Sequence, residues 1–279
     1  MRSTCDLNDV ARSDGMLFVR NGVGLAARGV AMRVPAAEVP DALRALPCTD
    51  EVGQPGCGPI ALGVLPFRPG AEATFVVPAV IVGKGPDGHQ WVTTILDDAD
   101  DHDAAIDEAL APQPPVTVSV ADFSVRPAEP AQVFLDAVDR GRNAVAAGEL
   151  TKVVLAREIV VETDRPIDVR AVLARLRASF GSSYRYSIDG FIGASPELLV
   201  SRHGDICRSH PLAGTAPRTG DPTTDARLAA ELIASVKNQV EHRVVIDVVH
   251  DALLPYAAIS IGNPSRRSWR WPTCSTSPP

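Results

Sequence analysis

Four polar positions in this 279-residue chain stand where the apolar patterning around them predicts interior, and their types suit acid–base chemistry. Glu197 lies in FIGASPELLV (191–200), just after an apolar strand and a Ser-Pro turn, and Lys152 lies in the strand-like run TKVVLAR (151–157). A lysine and a glutamate on separate buried elements form a candidate base and acid pair, because burial disfavours the charged form of each. Pro196 fixes the turn and limits where Glu197 can point; in an apolar pocket its carboxyl would keep a proton for a leaving hydroxyl. The structural alternatives are plain. A lysine at a strand end snorkels to solvent, and a glutamate after a turn sits in water.

The loop PLAGT (211–215) adds Gly214 and Thr215, a backbone and a hydroxyl donor where a ligand can come close, although a Gly-Thr turn alone is common. Glu241 belongs to SVKNQVEHRVVIDVVHDALL (235–254), where helical spacing puts it on one face with Val245, Val248 and Ala252. A carboxylate on an apolar stripe must be paired, protonated or metal-bound, since an unpaired buried charge costs several kcal/mol. A salt bridge to Lys237, one turn back, would satisfy it without any function.

These residues need elements to position them. MLFVRNGVGLAARGVAMRV (16–34) reads as two strands turned at Asn21-Gly22, both of which tolerate positive φ. Short strands are expected at PIALGVLPF (59–67), TFVVPAVIVG (74–83) and QWVTTIL (90–96), with PAAEVPDALRAL (35–46) helical among them. A Pro-rich connector fills most of 109–130. Beyond it come a helix at 131–148 with Phe134, Val138 and Val145 on one face and Gly148 as C-cap, then the strand of Lys152. A helix capped by Asp168 carries Val169, Val172, Leu173, Leu176 and Phe180 at helical spacing. Strands YRYSI, GFIGA and ELLVS, a turn at His203-Gly204-Asp205 and a final helical region ending near Tyr256 complete the pattern. The expected division is 1–130, 131–262 and an irregular tail at 263–279.

Composition narrows the function classes. With 45% hydrophobic residues the chain can bury a sizeable core. A net charge of −7 with no Lys/Arg stripe argues against nucleic acid. The longest apolar run falls far short of a membrane helix, and the first residues lack the apolar core of a signal peptide, so no membrane and a cytoplasmic location are expected. Five scattered cysteines without a Cys-x-x-Cys pair predict reduced thiols. Gly22, Gly24 and Ala27 match a dinucleotide fingerprint on paper, but Arg28-Gly29 would break its helix. The run DDADDHD (97–103) reads as a solvated loop, and Ser195 lacks the glycines of a nucleophile elbow.

In that order and spacing, TKVVLAR, GASPELLV, HPLAGT and SxKxxxEH resemble the chorismate-utilising enzymes, above all the short isochorismate synthases of menaquinone and siderophore pathways. The match is specific over 131–254 and fainter before it, where GVLPFRPGAEATFVVP (63–78) resembles their N-terminal half. The resemblance implies an α+β chorismate-binding fold of antiparallel sheets layered with helices, incomplete at its C-terminus. It implies Lys152 as the base that activates water to attack C2 of chorismate, Glu197 as the acid that protonates the departing C4 hydroxyl, and Gly214 and Thr215 as substrate contacts. Glu241 would be one of the carboxylates holding Mg²⁺, whose grip on the ring carboxylate lets an acidic protein hold a dianion.

Family members that use ammonia carry a glutamine where Lys152 stands, because ammonia needs no base and water does. Salicylate synthase also uses water and remains the alternative product. Chorismate is the one expected partner, and the protein is expected to be a monomer. The family continues for on the order of a hundred residues past this resemblance, so a non-catalytic truncated remnant is a further alternative. Within the tail NPSRRSWRWPTCSTSPP (263–279), the run WRWPTCSTS (269–277) can be back-translated in another frame to Ala-Val-Ala-Asn-Val-Leu-His-Leu, similar to the family's next segment, which suggests a frameshift near residue 264.

Overall fold

The computed structural model describes residues 5–97, 99–116 and 122–256. The expected frameshifted tail at 263–279, and Cys274 in it, lie outside the described residues. Two compact units emerge: Thr117–Asp168, and the chain on either side of it.

The larger unit opens with α1 (Leu7–Ala11), β1 (Met16–Arg20), β2 (Val23–Arg28), β3 (Met32–Pro35), α2 (Val39–Ala45) and β4 (Leu62–Gly63). It continues with β5 (Thr74–Val77), β6 (Val80–Lys84), β7 (Gln90–Thr94) and α3 (His102–Leu110). The smaller unit holds β8 (Phe123–Pro127), α4 (Ala131–Ala146) and β9 (Ile159–Thr163). Returning to the larger unit, the chain forms α5 (Val169–Phe180), β10 (Tyr184–Ile188), β11 (Phe191–Ser195), β12 (Leu198–His203), β13 (Ile206–His210), α6 (Pro222–Ala234) and α7 (Val236–Leu253). The mixture is α+β, as expected, and every strand pair is antiparallel.

A six-stranded sheet in the order β11-β10-β1-β2-β6-β7 organises the larger unit. The β1–β2 turn is built by Asn21 at φ 53° and Gly22 at φ 76°, the left-handed pair a two-residue hairpin demands. Both sheet faces are covered, so alternate residues of one strand enter different cores. Leu17, Val19, Ala26 and Val82 pack with Leu7 and Val10 of α1, Leu173 of α5 and Leu110 of α3. On the opposite face Met16, Ala27, Ile81 and Ile188 meet Val76 and Leu62 of the small sheet β3-β5-β4. Gly24 is required where it stands, because a Cβ there would lie 2.2 Å from the carbonyl oxygen of Phe18. The Gly-x-Gly spacing therefore belongs to a hairpin and not to a nucleotide loop.

Two expectations are corrected. TFVVPAVIVG is not one strand: Pro78, fully buried and without an N–H, ends β5, and β6 restarts at Val80 in another sheet. TKVVLAR forms no ladder either. Residues 152–158 carry no regular structure, with Val154 78% exposed, because an extended run becomes a strand only where a neighbouring backbone accepts its hydrogen bonds. Within the smaller unit β8 pairs β9 and α4 ends near Gly148 at φ 76°, but α4 buries none of its residues. Among the described residues no helix is long and apolar enough to cross a membrane, and Cys5, Cys48, Cys57 and Cys207 are free thiols.

Candidate active site

Glu197 sits between β11 and β12, directly after Pro196. The turn is tied by the Glu197 backbone N–H, which donates to Oγ of Ser195 at 3.2 Å. Its carboxylate reaches across to the loop after β13, where Oε1 accepts the backbone N–H of Leu212 at 3.2 Å. That contact is possible because β12 and β13 form a hairpin whose open end pairs Leu198 with His210, bringing the start of PLAGT beside the Ser-Pro turn. The ladder shifts register between Leu198 and Ser201, and such irregularities turn the chain locally and re-aim its side chains. Glu197 is exposed, so the apolar enclosure expected around it is not formed by the described residues.

The loop from 211 to 219 has no ladder of its own and is held at both ends. Leu212 fastens its start to Glu197. At its far end Asp225 of α6 accepts from Thr219 N at 2.7 Å and Thr219 Oγ1 at 3.0 Å, and pairs with Arg218 at 3.2 Å. The Thr219 N–H and the Arg218 guanidinium together lower the Asp225 pKa below the usual carboxylate value. Gly214, half-buried at φ 81°, lies against α7: a Cβ there would stand 3.3 Å from Asn238. Thr215 next to it is exposed.

Ser235 caps α7 by accepting from Asn238 N at 3.3 Å, which fixes the turn that meets Gly214. Glu241 follows on the same helix and is half-buried, but its expected apolar stripe is not covered, Val248 being 64% exposed. His242 was given no role by sequence reasoning, yet its Nδ1 is buried without a hydrogen-bond partner. Ser209 Oγ, just before the loop, is in the same condition. Both lie in or beside the quoted motifs HPLAGT and SxKxxxEH, the signal that could have drawn attention to them.

The structure thus joins Glu197 to the loop of Gly214 and Thr215, and that loop to the helix of Glu241. Lys152 belongs to the other unit, half-buried in the irregular segment between α4 and β9. For a cation the donor set is thin. Among the described residues no three His, Cys, Asp or Glu side chains lie close enough to hold a metal, so Glu241 would be a single carboxylate of any such site. The described residues alone do not make a magnesium centre.

Residues 36–265 match the family model described as "Chorismate binding enzyme". The chain belongs to the chorismate-binding enzyme family. Over 215 residues it is 36% identical to the "Putative isochorismate synthase MenF" of Mycobacterium tuberculosis, covering 72% of this chain and 51% of that protein. Over 122 residues it is 42% identical to anthranilate synthase component 1 of Streptomyces coelicolor, covering 41% of this chain and 23% of that one. The solved structure titled "putative 2,3-dihydroxybenzoate-specific isochorismate synthase, DhbC" from Bacillus anthracis superposes with a TM-score of 0.64 at 27% identity, over 91% of this chain and 63% of that one. The chain spans about half the length of the first curated relatives it matches.

Proposed function

We propose that this chain carries isochorismate synthase chemistry, an isomerisation in which water adds at C2 of chorismate and the C4 hydroxyl departs. In this reading Lys152 takes a proton from the attacking water and Glu197 gives one to the leaving hydroxyl. One water enters and one leaves, so substrate and product are isomers. Gly214 and Thr215 contact the substrate, and Glu241 would be one carboxylate of a Mg²⁺ site. When bound, the cation would supply charge for the substrate's carboxylates.

The observation that carries the reading is the hydrogen bond from Leu212 to Glu197, which puts the proposed acid against the proposed substrate loop. A water user is favoured over an ammonia user by Lys152, since glutamine stands there in the ammonia-using members. Menaquinone or siderophore biosynthesis is the destination the resemblance implies for the product.

The test is chorismate turnover with Mg²⁺, analysed for isochorismate, for salicylate with pyruvate, and for anthranilate when ammonia is added. Isochorismate as the sole product supports the reading. Salicylate would shift the assignment to the alternative synthase, and no turnover by folded protein would favour the non-catalytic remnant.

A further inference from the structure

A cleft of about 490 Å³ opens where β1 and β6 end and β10 begins, beside α1 and α5. Asp6, Asn8, Asn21, Lys84, Arg177 and Arg185 line it. Its charge is unbalanced. Asp6 is already engaged: Oδ1 accepts from Asn8 N at 3.0 Å and Asn8 Nδ2 at 2.7 Å, and Oδ2 pairs with Arg177. Among the described residues neither Lys84 nor Arg185 is in an ion pair.

Arg185 is the unusual member. It is the second residue of β10, opposite Val19, and only 2% of its surface is exposed. Among the described residues its one side-chain hydrogen bond runs from Nη1 to the neutral Oδ1 of Asn8 at 3.2 Å, and its Nε is buried with no partner. Burial, and then the neighbouring Arg177, hold its pKa below the ordinary arginine value, with Asp6 only partly offsetting them. A guanidinium taken out of water without a counter-charge is costly, and its five donors are left poorly used. An oxyanion in the cleft would supply both what the charge and what the donors lack.

We propose that this cleft is a binding site for a small oxyanion, a phosphate or carboxylate group of a small molecule, held between buried Arg185 and rim Lys84. It is a site separate from the chorismate chemistry above and does not depend on that reading.

The test uses the whole chain without chorismate or magnesium. Thermal unfolding and calorimetric titration are followed with sodium phosphate, with sodium succinate, and with sodium chloride at matched ionic strength. Phosphate or succinate should raise Tm saturably, by about 3 °C at tenfold excess over Kd, beyond the chloride control. Whichever anion acts identifies the group recognised. Lys84→Met should weaken Kd about tenfold, the loss of one charged contact. Arg185→Met should abolish the saturable shift, while Glu197→Gln should leave it intact. Because Arg185 is buried and its variant can fail for structural reasons, the rim variant Lys84→Met decides independently. A shift no larger than that of chloride, or one unchanged by Lys84→Met, overturns the proposal.

Discussion

Leu212 donates its amide to the Glu197 carboxylate across 3.2 Å, which ties the Ser-Pro turn to the start of the Gly-Thr loop. Glu197→Gln keeps an acceptor for Leu212 but loses the transferable proton. Its turnover of chorismate should fall by about 10²–10⁴-fold. Because the residue is exposed, its unfolding midpoint should stay within about 0.5 kcal/mol of the parent. Steady-state kinetics beside chemical denaturation separates the two effects.

Gly214→Ala meets two obstacles, a φ of 81° and a new methyl 3.3 Å from Asn238. The expected cost is about 1 kcal/mol or more in stability, with KM for chorismate raised as the loop shifts away from α7. An Asn238→Ala, Gly214→Ala double variant should recover part of the loss if the methyl contact contributes, and none if φ alone does.

Gly24→Ala should be far more damaging than any change at the loop. Its φ is 139°, and a Cβ would meet backbone at 2.2 Å, so nothing flexible can give way. A loss of at least about 2 kcal/mol is expected, read by circular dichroism melting, whereas Gly22→Ala at the open turn tip should cost less.

The carboxylates of Asp14, Asp221 and Asp225 titrate below the ordinary value of 3.8. The hydrogen bonds and ion pairs of Arg28 hold Asp14 down; Thr224 does so for Asp221, and Thr219 with Arg218 for Asp225. Groups lowered on folding contribute stability above their unfolded pKa and lose it as pH falls through the folded one. Denaturant midpoints should therefore be maintained from neutrality to about pH 4 and fall below it. Asp225→Asn should reduce that acid-side slope.

Phe123, Val125, Ile159 and Val161 share one face of the β8–β9 ribbon and are 67%, 56%, 59% and 46% exposed. Val125→Thr should leave stability nearly unchanged while lowering the fluorescence of an apolar dye and raising the soluble fraction at high concentration. A large loss of stability instead would mean this face is covered in solution.

Local signals were legible in the chain. Asn21-Gly22 announced its hairpin because a two-residue turn depends on its own φ angles, and Gly148 marked a helix end for a similar reason. Glu197, Gly214 and Thr215 could be picked out because their motifs are short and contiguous. What pattern could not supply was partnership. TKVVLAR has strand composition and no strand, and the apolar stripe of Glu241 is exposed at Val248. Nothing in the strand pattern YRYSI singles out Arg185. Its burial follows from its pairing with Val19, a contact between distant parts of the chain that no periodicity reports.

That same pairing constrains how the protein is made. β1, β2, β6 and β7 leave the ribosome well before β10 and β11, yet β10 must dock on the free edge of β1 to finish the sheet. Until then the nascent chain presents an open strand edge and half a core, and closure requires a long loop to form first. The larger unit should thus fold late and slowly, leaving a window in which a chaperone or another nascent copy competes for the β1 edge.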